Sequence, residues 1–177
     1  MDEQNESLEQ YDYSTNDYMY RVEDKYSHLI GIFLIRFSEL EHSLNITIAD
    51  IINDRTHEHG FIIVENLTTN NKIQLFYKFY LLHISALQKD RLTLKLQNLK
   101  IQLEEINSFR NKIVHANWQT LNKQGMVRTK IAVDSQHGYV LFRKFEMLPK
   151  TIRLQIKSLE KLILTLENFS EETLNMP

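Results

Sequence analysis

Residues 90–118 read DRLTLKLQNLKIQLEEINSFRNKIVHANW, and this stretch decides the fold class. Its apolar residues recur mostly at spacings of three and four, the pattern of an amphipathic helix with one face in a core. The members of this apolar stripe are Leu92, Leu96, Leu99, Leu103, Ile106 and Ile113. The same rhythm places Arg110 where a leucine or isoleucine is expected. Because burying an unpaired guanidinium is costly, we expect this position to mark a functional or strained site.

Similar patterns predict further helices along the chain. Spacings of three and four predict helices over about 16–53, 72–87 and 149–169, besides the helix over 90–117. Residues 61–67 fit either a short helix or an extended segment. The chain has 177 residues with only four Gly and two Pro, which favours long helices. We therefore predict an all-α fold, a bundle of about four to five helices in a single domain over 16–172.

A second kind of pattern follows residue 125. Val127, Thr129, Ile131 and Val133 alternate with mostly basic residues, and the turn-forming sequence 135–138 comes next. Alternation around a turn predicts a β-hairpin over about 126–145, inserted before the last helix. Two strands alone are only marginally stable, so one face of the hairpin is expected to pack on the helices.

Charge is unevenly distributed along the chain. Residues 1–17 contain six acidic and no basic side chains, and we interpret residues 1–15 as an acidic disordered tail. Since the chain has 21 basic and 23 acidic residues, the other 160 residues carry a net charge of +4. Residues 123–161 hold nine basic and three acidic side chains. Such a patch is typical of a phosphate-binding surface, and an unevenly charged solvated surface explains it equally well.

The composition also excludes several classes of site. The chain has no cysteine, which excludes disulfides, thiolate metal sites and a cysteine nucleophile. No apolar run is long enough for a membrane span, and no secretory signal is apparent. We expect a soluble, cytoplasmic protein without a membrane partner. His57 and His59 are two residues apart in a predicted loop without a partner cluster, so we expect no metal and no cofactor.

Arg110 and His115 enclose four residues close to the end of the predicted helix, and Asn111 follows the arginine directly. This arrangement resembles the Arg-x4-6-His motif of the HEPN family (higher eukaryotes and prokaryotes nucleotide-binding). The resemblance covers the motif helix and the surrounding bundle, about two-thirds of the chain. The bare spacing also occurs twice in the first helix, as Arg21 with His28 and as Arg36 with His42. The adjacent asparagine and the helix end distinguish the third pair.

The resemblance implies chemistry on RNA. It implies a metal-independent endoribonuclease of toxin or defence type, in which Arg110 and His115 of two subunits meet in the cleft of a homodimer. Histidine titrates near neutral pH and transfers protons, while arginine stabilises a phosphate that gathers negative charge. Asn111 is expected to orient the histidine or to contact substrate. The partners implied are RNA, a second copy of the chain, and an antitoxin or other partner protein.

Structural alternatives stay open for each of these residues. Arg110 alone fits an arginine paired with Glu39 or Glu41 as a counter-charge, and His115 alone fits a residue that complements the helix dipole. Trp118 fits packing at the helix end better than base stacking.

The functional alternatives lie in other classes of protein. The first is a non-catalytic HEPN-like nucleotide- or protein-binding helical module, and the second is an architectural helical dimer. On an ideal helix Arg110 and His115 lie about 140° apart, which favours a site shared by two subunits.

Overall fold

The computed structural model of the chain describes residues 16–52, 57–87, 90–122, 125–133 and 140–174. This part of the chain forms five helices, which confirms the prediction of a helical domain. They are α1 (Asn16–Ile52), α2 (Glu58–Glu65), α3 (Thr69–Leu87), α4 (Asp90–Val114) and α5 (Pro149–Leu174). The ambiguous segment 61–67 lies mostly in α2. The acidic tail, 1–15, lies outside the described residues.

Four helices surround one core. α1 packs on α3 and α5, and α4 packs on the same two helices, while α2 folds back against α1. The hydroxyl of Tyr26 in α1 donates a hydrogen bond at 2.7 Å to the carbonyl oxygen of Met147, just before α5. Further along α1 and α5, the hydroxyl of Ser43 donates a hydrogen bond to the carboxylate of Glu167. α1 and α5 therefore run parallel.

The core confirms the predicted apolar stripe of α4. All six members of the α4 stripe are at most 4% exposed, and Phe109 packs its ring edge on Phe33 of α1 at 5.2 Å. Tyr80 of α3 is buried at the other end of the core, where its hydroxyl lies 2.6 Å from that of Ser170. Burial raises the pKa of Tyr80 above its ordinary value. α3 thus contributes to the core, although its Leu82 is exposed.

Three β-strands lie between α4 and α5 in the sequence. They are β1 (Asn117–Asn122), β2 (Gly125–Val133) and β3 (Val140–Glu146), paired antiparallel in the order β1-β2-β3. β1 was not expected, because its residues show no clear alternation. The prediction of an inserted hairpin over about 126–145 stays a prediction, since its connecting residues 134–139 lie outside the described part.

Helix α2 approaches α1 closely through a glycine. A Cβ atom on Gly60 would lie 2.5 Å from the Cα of Ala49, closer than real contacts allow. We expect Gly60→Ala to lower the free energy of unfolding by about 1–3 kcal/mol through overpacking. Gly31→Ala is the matched control, since nothing lies within 4 Å of its added Cβ. That change should stabilise α1 by roughly 0.5–1 kcal/mol. Urea unfolding measures both, and equal effects of the two changes would contradict the close contact.

Candidate functional site

The end of α4 is held by contacts to the core. The backbone N–H of His115 donates the last helical hydrogen bond, to the carbonyl oxygen of Asn111 at 3.1 Å. The indole N–H of Trp118 donates to the carbonyl oxygen of Ile113 at 3.2 Å, and its ring lies 6.1 Å from that of Tyr26. These bonds satisfy carbonyl groups that a helix end leaves free. Trp118 thus has the packing role, and α4 ends three residues earlier than expected.

Arg110 lies half-buried against α1. Its guanidinium carbon is 5.7 Å from the ring centroid of Phe37, a core residue that is 2% exposed. One of its terminal nitrogens donates a hydrogen bond to Oδ1 of Asn111 at 3.1 Å. A cation above an aromatic face at this distance is attracted to the ring, by about 0.5–1 kcal/mol at exposed sites. Arg110 therefore lies on the same face of α4 as the apolar stripe, as its spacing predicts. Its guanidinium contacts an aromatic ring rather than a carboxylate.

The proposed counter-charges of Arg110 bind elsewhere. Glu39 accepts two hydrogen bonds from Arg36, at 2.8 and 2.9 Å, and Glu41 accepts one from the hydroxyl of Thr69. Within the described residues, no carboxylate lies within 4 Å of Arg110. The ion-paired interpretation of Arg110 is therefore not what the structure shows, and its positive charge is available to an anion.

His115 and Asn111 are both exposed to solvent. No hydrogen bond in the described part of the chain joins His115 to Arg110. Asn111 connects them, because its backbone carbonyl accepts from His115 and its side chain accepts from Arg110. His115 is the first residue after α4, and the guanidinium of Arg110 lies over Phe37 of α1. Among the described contacts, only Asn111 joins the two residues within one protomer.

The other arginine–histidine pairs have different surroundings. Arg36 is ion-paired with Glu39 and lies 3.5 Å from Glu160, and the hydrogen bond to Glu39 raises its pKa. Arg21 and His28 are exposed on α1. Of the three pairs, only Arg110 with His115 combines a half-buried cation with a helix terminus. The contact with Phe37 was missed in the sequence, because nothing in the α4 pattern shows which α1 residue faces it.

Two further classes of site find no support. Among the residues that the structure describes, no three His, Asp or Glu side chains are grouped to hold a metal ion. His57 precedes α2 with a left-handed backbone (φ 59°), and its Nε2 lies 3.2 Å from Asp50. No described helix has the length and hydropathy needed to cross a membrane.

No family model, no curated protein and no solved structure matches the chain. Membership of the HEPN family therefore stays a prediction from the residues of α4.

The surroundings of Arg110 predict a small cost for removing its charge. We expect Arg110→Met to lower the free energy of unfolding by no more than about 1 kcal/mol, because only the contact with Phe37 and one hydrogen bond are lost. Urea unfolding of the variant checks this. A loss of about 3–5 kcal/mol, as follows from breaking a buried ion pair, would show that the fold itself requires the cation.

Proposed function

We propose that the chain is a metal-independent endoribonuclease of toxin or defence type, built on a HEPN-like domain and active as a homodimer. The observation that carries the proposal is the half-buried guanidinium of Arg110, which has no carboxylate within 4 Å in the described part of the chain and lies five residues before the exposed His115. The inserted β-hairpin over about 126–145 and a cytoplasmic location belong to the same proposal.

The residue types suit strand cleavage through a neighbouring hydroxyl. His115 of one subunit takes the proton of a ribose 2′-hydroxyl, and the 2′-oxygen bonds to the adjacent phosphorus. The bond from phosphorus to the 5′-oxygen breaks, and that oxygen takes a proton from solvent water, to which His115 then returns the proton that it accepted. The products are a 2′,3′-cyclic phosphate and a free 5′-hydroxyl. Arg110 stabilises the negative charge that the phosphate oxygens gain, and Asn111 positions Arg110 through its side-chain oxygen.

The separation of the two groups favours a composite site. Arg110 is turned to Phe37 while His115 is in solvent, so a single phosphate does not readily meet both within one protomer. Two α4 ends facing each other across a two-fold axis supply an arginine and a histidine from opposite sides. This is the arrangement that the family resemblance implies.

A second candidate is a non-catalytic HEPN-like module that binds a nucleotide or a partner protein such as an antitoxin. The contacts of Arg110 with Phe37 and Asn111 favour it, because they hold the guanidinium without any substrate. In this case Arg110 anchors a phosphate, and His115 takes no part in chemistry.

Cleavage of RNA in the presence of EDTA tests the leading proposal. We expect the wild-type chain to produce 2′,3′-cyclic phosphate ends. His115→Ala and Arg110→Ala should each reduce the rate at least about 100-fold, as for loss of a general base or of a charge-stabilising donor. His28→Ala is the matched control, since that histidine is exposed beside Arg21 in a pair with similar spacing, and its rate should equal the wild type.

Cleavage that persists in the purified Arg110→Ala/His115→Ala double variant would place the active site elsewhere. Binding of RNA without any cleavage by the wild type would favour the second candidate.

The composite site predicts recovery of activity by mixing. We expect a solution mass of twice the 21.1 kDa of one chain. Mixed dimers of Arg110→Ala and His115→Ala chains should regain part of the cleavage, because each mixed dimer keeps one arginine and one histidine on opposite chains. Light scattering and cleavage assays after co-refolding measure both. Mixed dimers as inactive as either parent would mean that each protomer needs its own pair.

A further inference from the structure

Four basic side chains form a line along α5. They are Lys150, Arg153, Lys157 and Lys161, and all four are exposed. Spacings of three, four and four residues place them within about 80° of one another on an ideal helix, over roughly 16 Å of its length. We refer to these four residues as the α5 cation row.

The row faces away from the rest of the protein. The buried side of α5 is formed by residues such as Ile152, Leu159 and Leu166, on the opposite side of the helix. Glu171 of α5 is exposed, and the other three acidic residues of α5 are directed to neighbouring helices. They contact those helices as Glu160 with Arg36, Glu167 with Ser43 and Glu172 with Lys95.

The members of the row have no carboxylate partner, unlike some other cations of the bundle. Arg36, Lys95 and Lys100 each have a carboxylate within 4 Å. Over the described part of the chain, no carboxylate lies within that distance of any member of the row. Like charges one turn apart on a helix repel each other, so the row carries a cost that an external anion relieves.

We propose that the α5 cation row binds the phosphate backbone of single-stranded RNA. The identity of this polyanion rests on the proposed function, whereas the surface itself rests on the charges and exposure of α5. A linear series of cations suits a linear series of phosphates. The apolar neighbours of the row, Leu154 and Leu164, offer no ring for base stacking. Binding should therefore depend little on base sequence.

A membrane surface fits the row less well than a nucleic acid. A helix that lies on a membrane directs a broad apolar face towards the lipid. In α5 the broad apolar face is buried in the bundle, and only isolated leucines accompany the row.

The row is also separate from the candidate catalytic residues within one protomer. Its members point outward from α5, whereas Arg110 lies on α4 against Phe37. The row should therefore contribute to RNA affinity and leave the chemical step unchanged.

The test uses full-length chain carrying His115→Ala, so that RNA binding is measured without cleavage. The row variant K150Q/R153Q/K157Q/K161Q is compared with the control variant R21Q/K25Q/K78Q/R91Q, which removes the same charge from four other exposed positions. Binding of a fluorescent single-stranded RNA is measured between 50 and 200 mM salt. Four lost phosphate contacts should reduce the slope of log affinity against log salt by about 3, so that the parent loses about 50-fold more affinity over this range than the row variant. The control variant should keep the slope of its parent.

Equal slopes in the row and control variants would overturn the proposal, because net charge alone would then account for binding. The proposal would also be overturned if the row variant bound RNA as well as its parent but no longer bound phosphatidylserine vesicles. That result would assign the row to a membrane surface. Lys157→Glu serves as a second variant if the quadruple one fails to fold, with an expected loss of RNA affinity and an unchanged circular dichroism spectrum.

The two proposals fail separately in these assays. If the wild type never cleaves RNA but its RNA binding depends on the α5 cation row, the endoribonuclease proposal is wrong and the proposal for the row stands. If the wild type cleaves RNA and the four row substitutions leave kcat/KM unchanged, the proposal for the row is wrong and the endoribonuclease proposal stands.

Discussion

The interaction on which the proposed site depends is that of the Arg110 cation with an aromatic ring, within an apolar stripe. Arg110 occupies a position whose rhythm along α4 calls for an aliphatic side chain, and its guanidinium lies above Phe37 instead of a carboxylate. A guanidinium keeps its charge at any physiological pH. The charge of Arg110 must therefore be in contact with water or with an anion. Its half-buried position at the end of α4 allows an anion to approach. The residue that departs from the apolar pattern of α4 thus provides a positive charge that an anion can reach.

The contacts around the helix end explain how that charge is kept in place. Trp118 takes the carbonyl oxygen of Ile113, and Tyr26 ties α1 to the start of α5. Asn111 holds Arg110 through its side chain while its backbone completes the last helical turn. An exposed imidazole next to a fixed cation suits proton transfer at a phosphate. On an ideal helix the two side chains lie about 140° apart, which favours the proposed site shared by two subunits.

Much of the fold follows from the sequence because apolar periodicity reports burial directly. The apolar stripe of α4 predicted which of its residues enter the core, and Leu96 and Leu103 are at most 1% exposed. Helix ends were less predictable, because they depend on tertiary contacts. α4 stops at Val114, and the indole of Trp118 binds the carbonyl oxygen of Ile113 at this end. α3 begins at Thr69 rather than at residue 72, where Thr68 accepts the N–H of Asn71.

Partners of individual side chains could not be predicted from periodicity. Glu39 was a plausible counter-charge for Arg110, yet Arg36 is three residues away on the same helix and binds it locally. The aromatic contact with Phe37 depends on how α1 and α4 face each other across the core. The four residues of the α5 cation row lie within the basic segment 123–161 of the sequence. Their lack of carboxylate partners became apparent only when α5 was placed beside α1 and α4.

The central proposal is that the guanidinium of Arg110, which has no carboxylate partner in the described part of the chain, contacts an RNA phosphate. The most direct measurement is NMR of the arginine side-chain Nε–H signals during titration of His115→Ala protein with single-stranded RNA, with the Arg110 signal assigned by its loss in Arg110→Lys. The account predicts that the Arg110 signal shifts with RNA concentration and saturates, while the ion-paired Arg36 signal stays in place. An Arg110 signal that is unchanged at saturating RNA would contradict the account.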